Sequence, residues 1–471
     1  MTPGIFIIVL AVAIAVLMLL IMKAKMHPVL ALFLTTLGLG LILGNGVVGS
    51  VKLINAGFGG TLKGIGVTII LGSILAMGIQ DSGAATSISN FFTRLFRGKC
   101  LELAPSLTAF IVSIPVFGDI TMVLTAPIAS ILSVRRKISM SSMAAFTGLG
   151  LFLTHGLVPP TPGILAIALM YGADLGLTIA WGTVISAVAF FGTWLLMRSW
   201  CAKEWIAPRP DFVEGFEAAK SDKVEDIVIH EPNLPNAFMA LLPVLIPVLL
   251  ITLASIAKVS MDEGHAALPF FTSVGDRVIA LMLGVVFTVI LGFVKADKVK
   301  AHHLRTTGSD KESLKEIIFG NWVGRGLVVA LLPLLITAMG GAMGATLKAA
   351  PVIKELGALV TASHILPILV PFLTAAILMT AVGSMTTAGL TAAAIVLPMM
   401  DSLGLSPIAA TLSIGCGTMM INHLNNSGFW IMTQFFNLNT KQGLKYVTLP
   451  CMVASVISII TLMILVSLGL V

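Results

Sequence analysis

LAPSLTAFIVSIPVFGDITMVLTAPIASILSV, residues 103–134, is a membrane-grade apolar run broken near its middle by PVFGD, Pro115 to Asp119. Proline removes an N–H and glycine loosens the backbone, so a helix entering this run stops there. Lipid cannot satisfy the backbone groups that such a stop exposes, so the break must face a cavity inside the protein. Residues 363–400 repeat the pattern around TAVGS, Thr380 to Ser384. Matched interruptions in two halves of a chain are the sequence mark of a secondary transporter's substrate site. Both stretches are read as re-entrant helical hairpins that enter and leave on one side.

The rest of the chain is built for lipid. Of its 471 residues, 57% are hydrophobic and only 10% charged, with a mean hydropathy of +1.04. At about 20 residues per crossing, full spans are expected near 4–22, 27–44, 66–93, 140–171, 177–197, 237–257, 276–295, 321–347, 406–437 and 446–469. The expected fold is an all-α polytopic membrane protein, an inverted-repeat secondary transporter with about ten full spans, two re-entrant hairpins and broken helices. Residues 4–22 read as an uncleaved first span, because no small-residue cleavage site precedes Lys23.

Loops 23–26, 94–102, 135–139, 198–236, 296–320 and 438–445 fall on one side and carry most of the Lys and Arg. The opposite side receives Lys52, Lys63, Lys258, Arg277, Lys348 and Lys354. That bias predicts cytoplasmic basic loops and external termini. It also accounts for the net charge of +7 without nucleic acid. An odd number of full crossings precedes the long acidic loop, so the second half is inverted. The expected organisation is a first repeat over 1–205, a cytoplasmic linker over 206–236 and a second repeat over 237–471. The first hairpin would then open from the cytoplasm and the second from outside.

Enzyme chemistry has no foothold here. Cys100, Cys201, Cys416 and Cys451 are scattered without metal-ligand spacing, and neither an HExxH nor a Walker motif occurs. No catalytic residue, metal or cofactor is expected.

Polar residues inside the spans are the site candidates. Asp119 follows Gly118 at the first hairpin tip, and a lone carboxylate there is costly unless protonated or paired. It reads as a proton carrier or ligand-orienting group, or as a cap on the second hairpin helix. LTHGLVPPTPG, residues 153–163, must break span 140–171. The half-helix restarting near Pro162 and Gly163 offers N–H groups and partial positive charge, with the Thr161 hydroxyl beside it. His155 either titrates during transport or bonds a carbonyl at the break.

In the second half, INHLNNSGFW covers 421–430. Asn422, Asn425, Asn426 and Ser427 supply neutral donors and acceptors for a polyhydroxylated ligand, or cap a broken helix. Gly383, Ser384, Thr386 and Thr387 suit ligand contact or close helix packing. Asp81, midway along 66–93, is a further proton-coupling candidate or a satisfied cap. Gly340, Gly341 and Gly344 interrupt its counterpart, 321–347. His364 and His423 are isolated and receive no role.

At these motifs the chain resembles the gluconate permease family. The marks are IQDSGAA (79–85), PVFGD (115–119), HGLVPPTPG (155–163), AVGSMTTAG (381–389) and NNSGFW (425–430), spread over nearly the whole length. The resemblance implies import of a small hydroxylated organic anion, gluconate or a related sugar acid, by proton symport with alternating access. It implies a bacterial inner membrane, with the proton gradient as the energy source and room for a homo-oligomer. Sugar-acid members tend to carry an aromatic residue where Gly118 stands, histidine at Thr161 and aspartate at Asn426. They also tend to place a basic residue near the second hairpin, whereas no Lys or Arg lies between Lys354 and Lys441. These departures admit D-serine or another hydroxy or amino acid as the alternative cargo. A solute channel is the remaining reading, and inverted halves around one site argue against it.

Overall fold

The computed structural model describes residues 2–115, 118–213, 217, 223–262, 265–350, 366–423 and 426–471, and among these it is helical with no strand. The first half runs α1 (Pro3–Met22), α2 (Pro28–Ile42), α3 (Gly46–Asp81), α4 (Ala84–Leu95), α5 (Leu103–Val112), α6 (Gly118–Arg136), α7 (Met140–Leu157), α8 (Pro162–Tyr171) and α9 (Leu175–Cys201). The second half runs α10 (Ala237–Ser260), α11 (Leu268–Val274), α12 (Arg277–Val294), α13 (Ala296–Thr307) and α14 (Trp322–Lys348). It continues with α15 (Leu369–Val382), α16 (Met385–Val396), α17 (Pro407–Thr418), α18 (Ser427–Phe435) and α19 (Leu449–Ser467). Among the described residues, eight helices are long and apolar enough to cross a membrane. Large apolar side chains such as Leu196, Phe238 and Val328 lie on the outer surface, as contact with lipid tails requires.

The order of elements repeats. A long helix, a split hairpin, a broken span and a closing span appear as α3, α5–α6, α7–α8 and α9, and again as α14, α15–α16, α17–α18 and α19. The two long helices lie side by side and antiparallel. Gly57 faces Gly341 and Ala342 near one end, Gly326 faces Ile74 further along, and Trp322 reaches Asp81 at the other end. Equivalent helices running in opposite directions make the halves inverted.

Glycine allows the close approach at one end of this crossing. A Cβ on Gly57 would stand 2.5 Å from the Gly341 carbonyl oxygen, and one on Gly341 would collide with Thr61. The other end is pinned by charge. The buried Asp81 carboxylate accepts from Trp322 Nε1 at 2.8 Å and from Arg325 Nη1 at 2.9 Å. Arg325 Nη2 also donates to Gln80 Oε1 at 2.9 Å, and His302 Nε2 lies 3.3 Å from Asp81 Oδ1. A carboxylate out of water is tolerable because cation and donors surround it.

Two expectations are corrected here. The span read at 66–93 is a 36-residue helix that starts at Gly46 and ends at Asp81. Gly83, with φ of 72°, then turns the chain into α4. Asp81 is therefore at a helix end, inside an ion pair, rather than midway along a span. Gly340, Gly341 and Gly344 do not interrupt α14, which runs through all of them. Gly341 serves the helix crossing.

The segment after α9 is tied down. Ser139 Oγ, at the start of α7, donates to the Glu204 carbonyl at 2.7 Å, and Ser141 Oγ to the Cys201 carbonyl at 2.7 Å. The Glu204 carboxylate accepts from Gln442 at 2.7 Å, Tyr446 at 2.7 Å and Lys445 at 3.0 Å, joining the first half to the approach of α19. Further on, the Asn90 side chain accepts from Ile229 N at 2.9 Å and donates to its carbonyl at 2.8 Å.

Gly57→Leu should abolish folding, read as loss of monodisperse protein in detergent. Gly60→Ala on the same helix should be tolerated, because its Cβ would meet nothing within 4 Å. The hydrogen bonds from Gln442, Tyr446 and Lys445 draw the Glu204 carboxyl down from 4.5 to about 2. A lowered folded value stabilises the fold above the unfolded pKa and is lost as pH falls through the folded one. The difference in melting temperature between the native chain and Glu204→Gln should hold at neutral pH and shrink between 4.5 and about 2.

Candidate functional site

Each half breaks one apolar span, and the break of one half meets the hairpin of the other. Helix α8 packs against α16 and α17, and α18 packs against α6. A Cβ on Gly163, in the first turn of α8, would lie 3.3 Å from Thr386 Oγ1 at the second hairpin tip. A Cβ on Gly428, in the first turn of α18, would lie 3.2 Å from Met122 Cε near the first tip. One stretch of α7 reaches all of these parts. Leu151 neighbours Gly118, Phe152 neighbours Gly428, and Gly156 neighbours both Met385 and the Gly415 carbonyl of α17. The four interruptions converge on one region.

Local sequence explains each stop. After α7, Val158 to Thr161 contains the Pro159–Pro160 pair, joined by a cis bond, and cannot continue the helix. Thr161 Oγ1 donates to the carbonyls of His155 at 3.0 Å and Val158 at 3.2 Å, closing the end of α7. Helix α8 then restarts at Pro162 with Thr161 as N-cap, its first N–H groups lacking partners within the helix. Asn426 caps α18, its Oδ1 accepting from Gly428 N at 2.6 Å. In the second hairpin, Gly383 turns the chain with φ of 71°. Ser384 caps α16 by accepting from Thr387 N at 3.3 Å and from the Thr387 hydroxyl at 3.1 Å.

Among the described residues, two side chains at the breaks have buried polar atoms without a partner. Asn422 is 1% exposed, and neither its Oδ1 nor its Nδ2 is bonded. His155 Nδ1 is likewise buried and unbonded. They hold equivalent places. The shift in numbering that carries the N-cap of α7, Ser139, onto that of α17, Ser406, and Gly150 onto Gly417 also carries His155 onto Asn422. Leaving such groups unpaired costs about 1–3 kcal/mol each, so a polar ligand gains by completing them.

The candidate residues divide as follows. Gly118, His155, Thr161, Gly163, Gly383, Ser384, Thr386, Thr387, Asn422 and Asn426 all lie at the hairpin tips or helix breaks. Asp119 is the second residue of α6 and Ser427 the first of α18; their side chains, together with Asn425 and His364, lie outside the described residues. Asp81 belongs to the α3–α14 frame. His423, given no role in the sequence, reaches the Thr380 carbonyl of α15 through Nε2 at 3.1 Å. Met122, Met385 and Met419 also line the breaks.

Inverted halves, broken apolar spans and half-helix ends facing hairpin tips define a multi-pass membrane transporter. A family model described as GntP family permease matches residues 5–469, and the chain belongs to that family. A gluconate permease of Pseudomonas aeruginosa is 31% identical, with 94% of this chain and 93% of that protein covered. A high-affinity gluconate transporter of Escherichia coli is 28% identical over 93% of this chain and 94% of its own length. The D-serine transporter DsdX of Escherichia coli is 29% identical over 93% of both. Among solved structures, the Alcanivorax borkumensis YdaH transporter matches with a TM-score of 0.59 at 15% identity, covering 94% of this chain and 99% of that one. Neisseria gonorrhoeae MtrF matches with a TM-score of 0.51 at 14% identity over 88% and 84%. These two share the fold.

A leucine at Gly163 would press on the backbone and hydroxyl of Thr386. Gly163→Leu should lower uptake by about a hundredfold, the scale of a misplaced binding element, in protein that still purifies as a monodisperse species. Gly163→Ala should have a smaller effect, since the neighbour need give only a few tenths of an ångström.

Proposed function

We propose that this chain imports a small hydroxylated organic anion, gluconate or a related sugar acid, across a bacterial inner membrane by proton symport. Alternating access would come from two inverted repeats, 1–205 and 237–471, joined by a linker over 206–236 on the cytoplasmic side. Both termini then lie outside, following the bias of basic loops. The observation that carries this reading is the convergence of the α8 and α18 N-termini with the hairpin tips of the opposite halves. Those N-termini give a carboxylate N–H donors and positive potential without a basic side chain. Unpaired His155 and Asn422, with Ser384, Thr386 and Thr387, supply neutral partners for hydroxyl groups. Relatives named as gluconate permeases and transporters agree with such a cargo.

A second reading rests on a specific feature. No Lys or Arg belongs to the candidate set or lies between Lys354 and Lys441. A compact zwitterion such as D-serine, or another small hydroxy or amino acid, would also fit that neutral lining, and a relative is named as a D-serine transporter. For the proton, Asp119 at the first tip is assigned the carrier role, with His155 as the other titratable group at the breaks. Asp81 is assigned to the frame, because Arg325 and Trp322 already hold its carboxylate.

Uptake into proteoliposomes under an imposed pH gradient, across a panel of aldonates, hydroxy acids and D-amino acids, tests the cargo. Saturable, counterflow-competent uptake of one class is expected, whereas non-saturating flux would overturn the carrier reading. Asp119→Asn should abolish accumulation on a pH gradient while sparing exchange. Accumulation at the native level by that variant would remove Asp119 from the coupling.

A further inference from the structure

The two broken spans, counted from their helix N-caps Ser139 and Ser406, differ in a chemically informative way near the break. The shift in numbering that pairs His155 with Asn422 pairs Gly156 with His423. In the first half, the glycine admits α17, its missing side chain leaving room for the Gly415 carbonyl and Met385. In the second half, an imidazole stands there and reaches across to the hairpin.

The contact is directional. Thr380 lies in the last turn of α15, next to the Gly383–Ser384 tip, where carbonyls turn outward and recruit donors from elsewhere. A carbonyl oxygen only accepts, so the 3.1 Å contact with His423 Nε2 requires the proton on Nε2 and fixes the tautomer. The backbone of the same residue works in the other direction. The His423 carbonyl accepts from Asn426 N at 2.9 Å, immediately before α18 begins. Asn426 in turn caps α18, whose first turn neighbours Met122 of the first hairpin. His423 therefore stands between the second hairpin and the half-helix that faces the first one. Gly156 cannot make the equivalent side-chain link.

We propose that His423 is a positioning residue for the transported solute. Its Nε2–H latches the second hairpin to the α17–α18 break and so holds Ser384 and Thr386 at the distance the Gly163 end of α8 requires. The inference rests on the reading of the site given above and adds a residue to it. The latch acts through donor geometry, so a side chain that keeps an N–H at that reach should replace it. A side chain that only fills the space should not.

The test compares His423→Gln, which retains a donor, with His423→Ala and His423→Leu, which do not. Kinetics in proteoliposomes use whichever panel compound the native chain takes up. Loss of the latch should raise KM about tenfold, the size of one buried hydrogen bond, with Vmax changed less than about twofold. Gln should restore KM to within about threefold of native. Deuterium exchange of amides in 378–388 should quicken in Ala and Leu but not in Gln. Should Ala leave a cavity that prevents folding, Leu fills it and carries the comparison. Native KM in Ala or Leu, or an equal rise in all three variants, overturns the proposal. If the native chain transports nothing on the panel, the cargo reading fails instead, and the exchange comparison still decides the latch.

Discussion

A helix that stops inside a bilayer exposes backbone groups that lipid cannot satisfy, and among the described residues the hairpins and broken spans are such stops in apolar segments. The structure meets that constraint by exchange between its halves. The end of α8 lies against the second hairpin, and the end of α18 lies against the first. Capping by Thr161, Ser384 and Asn426 settles part of the need locally. What remains open, above all the side chains of Asn422 and His155, lies at the same region. These unpaired atoms belong to side chains and sit at the stops themselves.

The frame answers a different requirement. Helices α3 and α14 approach through glycine at one end and are fastened by Asp81, Trp322 and Arg325 at the other. Here each buried polar atom of the carboxylate has its donor, which is what makes burial of charge tolerable. The contrast with the breaks is local: the Asp81 carboxylate has its donors, whereas Asn422 and His155 Nδ1 have no partner among the described residues.

Much of this architecture is legible from residues alone, and the reasons differ by element. The hairpin turns announce themselves because Pro115, Gly118 and Gly383 cannot continue a helix between two apolar runs. The α7–α8 break is equally plain from Pro159, Pro160 and Pro162. The start of α3 was missed because residues 46–65 are rich in glycine, which reads as loop; there, Gly57 exists to let another helix approach. Asp81 invited a functional reading since its partners, Trp322 and Arg325, lie far away in the chain. Asn422 and His155 stood among the candidates, yet nothing in the sequence tells that their polar atoms are buried without partners among the described residues. His423 gave no signal, because its partner is a main-chain carbonyl, which any residue supplies.

Mutual sheltering of the breaks has a bearing on how the molecule is made. The turn after α5 and the restart at Pro162 are synthesised well before Met122 and Thr386 can both be covered, since α18 comes close to the C-terminus. Until that last stretch is threaded, the nascent first half holds raw peptide ends in lipid or must keep them near water. Each half needs the other to cover its breaks, so a chain cut short before α18 leaves those of the first half open.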